Sequence, residues 1–354
     1  MARILSPLAG LRRSRGWSQE RLAARSDTSR AEVSAIETGR IVPSVAVALR
    51  IAVALDSTVE AVFTPTTAGL PAVQWAWAPP RHGDGRVWLA NVGGRSVAVP
   101  VEPTAAGALP HDACFDGSTL DPRTMAAPED SLVIAGCDPL VGSLVRELAL
   151  RERVRVIPLL RSSAQALELL RQGLVHIAGL HMTDADGRPA NDAAVRQRLG
   201  GGYRLVHEVQ WQSGIAVDAL RRERSVSALL RAKVRWVNRE HGSAARETFD
   251  MLLGARRRPA GYEHVVRDHR AVAATVTSGW AEAGICIQPV AAEARLGFIA
   301  VHREAYELCI PDALLDDRRV VALMATLRST AYRQLLADIP ACSSAQSGDV
   351  RTVV

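Results

Sequence analysis

The chain has 354 residues, of which 48% are hydrophobic and 23% charged, and its formal net charge is +6. This composition excludes a mostly disordered or collagen-like chain, and the length suggests two to three domains with an ample core. A disulfide framework or zinc module is not expected, because the cysteines form no CxxC pair; they are Cys114, Cys137, Cys286, Cys309 and Cys342. No apolar run is long enough to predict a membrane span, and a reducing cytoplasm is the expected compartment.

The positive charge is concentrated at the N-terminus. Residues 1–50 contain nine arginines and four acidic residues, so this segment carries +5 of the total +6. A small basic domain joined to a nearly neutral large one indicates that the small domain binds a polyanion and that the large domain has another role. A solvated basic face is the alternative interpretation of the charge alone.

Helix start signals divide this basic segment into five short helices. The first is predicted over about residues 7–15, the second from Ser18 to about residue 26, and the fourth from Ser44 to Leu55. The third begins at Ser29 and the fifth at Ser57. A tight turn at residues 26–28 joins the second and third helices, which is the arrangement of a helix-turn-helix.

Residues 17–44 read WSQERLAARSDTSRAEVSAIETGRIVPS, and with their flanks (about 5–63) they resemble the Cro/XRE-type phage-repressor helix-turn-helix. The resemblance implies DNA contacts by Ser18, Gln19, Ser29, Arg30, Ser34 and Arg40. Gln19 and Arg40 would contact phosphate, whereas Arg30 on the recognition helix would reach a base edge in the major groove. It also implies a structural pair between Arg12 and Glu37. Asp27 stands where the family usually has glycine, and aspartate tolerates the left-handed conformation better than most residues.

Residues 64–129 change to proline, glycine and short alternating runs, which predicts a β-rich connector. Trp75, Trp77 and Trp88 could form a ligand platform, but packing against a small sheet is the favoured interpretation.

Residues 130–340 alternate apolar strands with helices, which predicts an α/β domain with parallel sheets. Four strand–helix junctions combine small residues, hydroxyls and free helix N-termini; they begin near residues 136, 162, 242 and 268. Such junctions meet at the carboxyl edge of a parallel sheet and favour an anion site.

Five stretches in this order resemble the type II periplasmic-binding-protein fold, in the form attached to helix-turn-helix regulators and related to molybdate-binding proteins. They are LVIAGCDPLVGSL, SSAQALELLRQGLVHIAGLHM, RWVNREHGSAAR, the run from Gly261 to AVAATVTSGWAEAGICI, and AYELCIP. The resemblance covers about 130–345, with a tail at 346–354. It implies one lobe of 130–217 with 298–345, a second lobe of 218–297, and closure of the two on a ligand.

The same resemblance implies which side chains line or support the cleft. They are Asp138, Ser162, Ser163, His181, Asn238, Arg239, Ser243, Arg246, His269 and Tyr306. Residues 242–246 read Gly-Ser-Ala-Ala-Arg where relatives often have Gly-Ser-Gly-Thr-Arg, which removes one hydroxyl. The implied effector is a small anion, either an oxyanion such as molybdate or a small organic or phosphorylated anion.

Catalytic and metal sites are not expected. His176 and His181 lie five residues apart, with His207 further on, and could suggest a metal site. Without a nearby carboxylate ligand in the sequence, the favoured interpretation is structural. No nucleophile elbow or phosphate-binding loop occurs. The sequence therefore predicts a multidomain, non-enzymatic transcriptional regulator without a cofactor: a homodimer on a double-stranded DNA operator, controlled by a small anion. A cytoplasmic carrier or buffer protein with incidental DNA contact is the alternative.

Overall fold

The computed structural model describes residues 4–5, 8–38, 40–65, 73–80, 85–102, 109–117, 119–122, 128–184 and 188–353. Contacts divide the chain into two compact units, residues 1–72 and 73–354. Among the described residues, no helix is both long and apolar enough to cross a membrane.

The N-terminal unit is a bundle of five short helices with one two-stranded ribbon. Its elements are β1 (Ile4–Leu5), α1 (Leu8–Ser14), α2 (Gln19–Ser26), α3 (Arg30–Glu37), α4 (Val45–Ala54), α5 (Val59–Val62) and β2 (Thr64–Pro65). Strands β1 and β2 pair antiparallel. Leu22, Val33, Ile36 and Ile51 are fully or almost fully buried in a shared core, so the apolar stripe of each helix faces inward as its spacing predicts.

Hydroxyl caps begin the central helices where the sequence places them. The side chains of Ser18, Ser29 and Ser44 each accept a hydrogen bond from the backbone N–H three residues later. Asp27 ends α2 in the left-handed conformation, with φ 48°. The predicted helix-turn-helix turn therefore forms with aspartate in place of glycine.

The segment expected to act as a connector forms a five-stranded sheet. Its strands are β3 (Gln74–Trp75), β4 (Gly85–Val92), β5 (Arg95–Pro100), β6 (Ala113–Phe115) and β7 (Leu120–Pro122), in the order β3-β5-β4-β6-β7. Val97 and Val99 share a core with Val133 and Ile157 of the following α/β domain. The sheet is thus a packed layer of the larger unit.

The α/β domain alternates strands and helices along the chain. Its elements are β8 (Ser131–Gly136), α6 (Val141–Glu152), β9 (Arg155–Leu160), α7 (Ser163–Arg171), β10 (Ile177–Leu180), α8 (Asn191–Leu199), β11 (Tyr203–Val217), α9 (Val226–Arg231), β12 (Trp236–Arg239), α10 (Ala244–Leu253), β13 (Val265–Val266), α11 (His269–Thr277), β14 (Ala283–Ile287), α12 (Gln288–Glu293), β15 (Gly297–Pro311), α13 (Arg318–Arg328), α14 (Thr330–Ala337) and β16 (Val350–Thr352).

These strands form a nine-stranded sheet in the order β13-β12-β14-β11-β15-β10-β8-β9, with β16 paired to β11. The outer strands are parallel, as the alternation predicts, but β11 and β15 pair antiparallel with each other and with their neighbours. The predicted parallel pairing is therefore correct for the two outer parts of the sheet and wrong for its antiparallel centre. Each of these two strands is 15 residues long, and they carry the chain from one parallel half to the other and back.

Candidate DNA-binding surface and ligand cleft

The recognition helix α3 borders a shallow groove on the N-terminal unit. Four residues predicted to contact DNA line that groove: Gln19, Arg30, Ser34 and Arg40. Ser18 and Ser29, the other two, cap the helices α2 and α3. The Arg30 Nε lies 2.9 Å from Glu20 Oε1, and both side chains are more than 60% exposed. An exposed pair of this kind is weak and leaves Arg30 available to another partner.

The structural pair implied by the family resemblance is present beneath this surface. Arg12 donates from Nε to Glu37 Oε1 at 2.7 Å and from Nη2 to Oε2 at 3.1 Å. The Gln19 amide, predicted to contact phosphate, donates to the same carboxylate at 2.8 Å. Burial acts to raise the pKa of the Glu37 carboxyl, but the Arg12 and Gln19 hydrogen bonds outweigh it and hold that pKa below its usual range. This carboxylate therefore joins three helices of the bundle.

All four predicted strand–helix junctions occur in the α/β domain. Ser162, Ser243 and Asp268 cap α7, α10 and α11 by accepting a backbone hydrogen bond. Helix α6 has no side-chain cap at its first position, and Asp138 instead accepts the Leu140 N–H at 2.7 Å. The hydroxyls of Ser162 and Ser243 are therefore already hydrogen-bonded to their own helices. Their role is to stabilise the junctions, and they do not act mainly as ligand contacts.

A cavity of about 410 Å³ lies where the first junction meets the start of α11 and the five-stranded sheet. Its lining includes three of the predicted ligand residues, Asp138, His269 and Tyr306. The five-stranded sheet and the segments that flank its strands supply a further wall, formed by Trp88, Pro100, Glu102 and Leu109. Of these residues, the sequence suggested only Trp88, as part of a possible ligand platform. The favoured packing role for Trp88 holds only in part, because this half-buried ring also lines the cavity.

Asp138 and Tyr306 are buried polar groups at the cavity floor. Burial, helped by the nearby Glu208 carboxylate, raises the pKa of Asp138 well above its usual range. The Asp138 Oδ2 has no hydrogen-bond partner in the described ranges. A neutral Asp138 can donate a hydrogen bond without repelling an anion. Burial likewise raises the pKa of Tyr306. Gly179 permits this placement, since a Cβ there would lie 1.7 Å from the Tyr306 hydroxyl.

Arg239 ends β12 and is 1% exposed, yet two of its donors, Nε and Nη1, have no hydrogen-bond partner among the residues that the structure describes. Its Nη2 lies 3.3 Å from Glu240 Oε1. Arg239 does not line the cavity, but its positive charge acts on His269, which does. A buried guanidinium with free donors is costly unless a counter-ion satisfies it.

His181 belongs to a chain of hydrogen bonds that sequence reasoning missed. Its Nε2 lies 2.7 Å from Cys137 Sγ, and its Nδ1 lies 2.9 Å from Glu304 Oε2. Glu304 also accepts from Trp211 Nε1 at 3.1 Å and bonds His302 Nε2 at 2.9 Å. Burial disfavours the His181 imidazolium, but Cys137 and Glu304 outweigh that effect and raise the pKa of His181 well above its usual range.

His269 differs from His181 because, within the described part of the chain, neither of its ring nitrogens has a hydrogen-bond partner. The ring is 2% exposed and stands 5.7 Å from the His181 ring, centroid to centroid. Burial, with a further contribution from Arg239, lowers the pKa of His269 well below its usual range. It is therefore a neutral, buried ring beside the cavity.

The remaining predicted ligand residues are engaged in local structure. Ser163 Oγ accepts the His181 N–H, Asn238 donates to Tyr262 O, and Arg246 bonds both Asp250 and the Tyr262 hydroxyl. His176 is structural as predicted, because its Nδ1 accepts the Val133 N–H and its Nε2 bonds Asn91 O.

Glu208 gives the α/β domain a pH-dependent stability. Burial raises the pKa of Glu208 to about 7, against a Tyr332 hydrogen bond that lowers it. Because folding raises this pKa, the stabilisation is full below the unfolded value near 4.5 and is lost as pH rises through about 7. We expect Glu208→Gln to remove up to about 3 kcal/mol of the stability loss between pH 4.5 and about 7. Thermal unfolding of both proteins from about pH 4 to pH 8 measures the difference.

The matched control is Glu263→Gln, because the Glu263 side chain is 78% exposed. It should keep the wild-type pH profile. A loss of stability up to about pH 7 that persists unchanged in Glu208→Gln would show that this carboxyl is not its source.

Comparison with known protein families agrees with this two-part architecture. A family model described as a PBP superfamily domain matches residues 145–328, and a helix-turn-helix model matches residues 8–62. The chain is 30% identical over 197 residues to the uncharacterized protein YvgK of Bacillus subtilis (strain 168). That alignment covers 54% of this chain and 63% of YvgK.

Solved structures with a similar fold include PhnD1 from Prochlorococcus marinus in complex with methylphosphonate. Its TM-score is 0.42 at 13% sequence identity, and the alignment covers 62% of this chain and 94% of PhnD1. An ABC-type phosphate transport receptor from Vibrio cholerae gives a TM-score of 0.42 at 13% identity, covering 59% of this chain and 98% of the receptor.

The molecule therefore combines a Cro/XRE-type helix-turn-helix domain with a binding-protein domain. The match at residues 145–328 spans more than half of the chain. The chain belongs to the PBP superfamily.

Proposed function

We propose that this protein is a DNA-binding transcriptional regulator whose activity responds to a small anion held between two lobes. One lobe consists of 130–217 with 298–345, and the other of 218–297. The helix-turn-helix and PBP superfamily matches support this division of labour, because one domain type binds DNA and the other binds small ligands. No catalytic role is assigned.

The observation that carries the anion proposal is the buried Arg239 guanidinium with two unpartnered donors. A small anion would satisfy those donors and offset the buried charge. At the neighbouring cavity wall, burial raises the pKa of Asp138, which disfavours the carboxylate that would repel an anion. An oxyanion and a carboxylate or phosphate ester share this chemistry.

On the DNA side, we propose that a homodimer places two α3 helices in successive major grooves, roughly 34 Å apart. Closure of the lobes would alter that spacing or the dimer contact, since a ligand shifts the population of the state that it binds better. Arg30 would contact a base edge, with Gln19 and Arg40 on phosphate.

The direct test is selection of binding sites by the full chain from a random-sequence duplex library. We expect an enriched site with two half-sites about one helical turn apart, and an affinity for it that falls with salt. Repeating the binding assay with orthophosphate, molybdate, sulfate and citrate should identify an anion that changes the affinity. The absence of any enriched sequence would reject the regulator and favour the carrier.

Arg30→Ala is expected to relax base preference at one position of each half-site by about 1–3 kcal/mol. The Arg30 side chain is exposed and its pair with Glu20 is weak, so the change should leave folding intact. Binding curves on the selected site and on single-base variants measure the effect.

Arg40→Ala is the matched control, because it lines the same groove but would contact phosphate. It should weaken binding to all sequences about equally and reduce the salt slope by about 1. If Arg30→Ala also weakens every sequence equally, Arg30 does not read a base.

A further inference from the structure

Cys137, His181 and His269 form a cluster whose metal-binding atoms all lie within 4.8 Å of one another, and all three residues are buried. Cys137 and His181 belong to one lobe, whereas His269 comes from the other. We propose that these three side chains bind a thiophilic divalent transition-metal ion such as Zn²⁺ and thereby join the two lobes. The proposal concerns metal binding itself, and its test requires neither an anion nor DNA.

The chemistry of the three donors suits this class of ion. Zn²⁺ takes cysteine sulfur at about 2.3 Å and histidine nitrogen at about 2.0–2.1 Å, in tetrahedral geometry. Donor atoms around such an ion are about 3.3–3.7 Å apart, so the cluster needs shifts of about an ångström. The 2.7 Å hydrogen bond between Cys137 and His181 would open as the ion replaces its proton.

A carboxylate already orients His181 as it would orient a metal ligand. Glu304 bonds His181 Nδ1, which leaves Nε2 directed at Cys137. This carboxylate–histidine arrangement fixes the ring and raises the basicity of the ligating nitrogen in metal sites. Glu304 is itself held by Trp211 and His302, so its position is well determined.

His269 distinguishes a metal site from the other interpretation of the cluster. Cysteine, histidine and glutamate in hydrogen-bonded order also occur in thiol enzymes, but His269 would have no role there. Its ring is buried and both nitrogens lack a partner, which is costly for an imidazole that binds nothing. Metal ligation satisfies one nitrogen. Because Cys137 and His269 line the cavity, the fourth coordination position is open to water or an anion.

The test is titration of the reduced, metal-free full chain with Co²⁺, followed by competition with Zn²⁺. We expect one equivalent of Co²⁺ to produce a thiolate-to-cobalt charge-transfer band and the intense d–d bands of a four-coordinate centre, both displaced by Zn²⁺. Cys137→Ser should abolish the charge-transfer band. His269→Gln should weaken Co²⁺ affinity more than tenfold, and it costs the fold no hydrogen bond to protein. Glu304→Gln should weaken it about 10–100-fold.

Cys114→Ser is the matched control, since Cys114 lies 3.4 Å from His111 Nε2 in a second cysteine–histidine pair. It should leave the spectrum and the affinity unchanged. The proposal is overturned if the wild-type chain binds no Co²⁺, if the band survives in Cys137→Ser, or if His269→Gln binds Co²⁺ as tightly as the wild type. Neither operator binding nor anion binding enters this result, so its failure would leave the proposed function standing.

Discussion

Replacing Glu37 by alanine is expected to destabilise the helix-turn-helix unit by about 3–5 kcal/mol, the usual effect of removing one partner from a buried ion pair. The Glu37 and Arg12 side chains are only 5% and 10% exposed, and the carboxylate accepts from both Arg12 and Gln19. Its loss leaves a buried guanidinium without its counter-charge and frees the N-terminal end of α2. Hydrogen exchange of the amides in α2 and α3 of the full chain measures this local stability.

Glu20→Ala is the control, because it removes a glutamate from an exposed pair with Arg30 in the same unit. An exposed pair contributes about 0–1 kcal/mol, so amide protection should change little. Since the pKa of Glu37 is lowered in the fold, its contribution should also disappear as pH falls below the ordinary glutamate value. Equal loss of protection in both variants would contradict the structural role assigned to Glu37.

Arg239→Gln is expected to abolish anion binding by the α/β domain. The guanidinium is buried and its free donors are the proposed anion contact, so removing it should weaken binding by at least about 2 kcal/mol. Thermal shift of the full chain with orthophosphate, molybdate, sulfate and citrate gives the reference response. The same titration on Arg239→Gln should show no stabilisation by the anion that stabilises the wild type.

Arg270→Gln is the control for the charge of the cavity. Arg270 lines the cavity, but its side chain is 51% exposed and already paired with Glu293 at 2.6 Å. It should change anion affinity by less than about 1 kcal/mol. An anion response that is retained in Arg239→Gln and lost in Arg270→Gln would place the anion contact on Arg270.

Local signals predicted much of this fold because they act over a few residues. Serine caps begin α2, α3, α7 and α10 where hydroxyls precede apolar periodicity. Asp27 adopts the left-handed turn that its chemistry tolerates. The antiparallel centre of the large sheet could not be read in this way, because alternation of strands and helices does not reveal which strands run back between the two parallel parts of the sheet.

The candidate site was predicted least well where distant strands supply its side chains. Glu304 lies 123 residues from His181, and strand pairing places it opposite Trp211. A usable signal did exist, because His302, Glu304 and Tyr306 alternate along one strand and so share a face. Tyr306 was identified through family resemblance. Because alternate residues of a strand share a face, the same strand would also have pointed to Glu304.

The five-stranded sheet determines where this chain can be truncated. Val97 and Val99 cover Val133 and Ile157 in one continuous core. A truncated chain beginning at residue 130 would expose that apolar surface to water and favour aggregation, besides removing one wall of the cavity. A fragment that keeps this core and the cavity wall accordingly begins near residue 73, where the second compact unit starts.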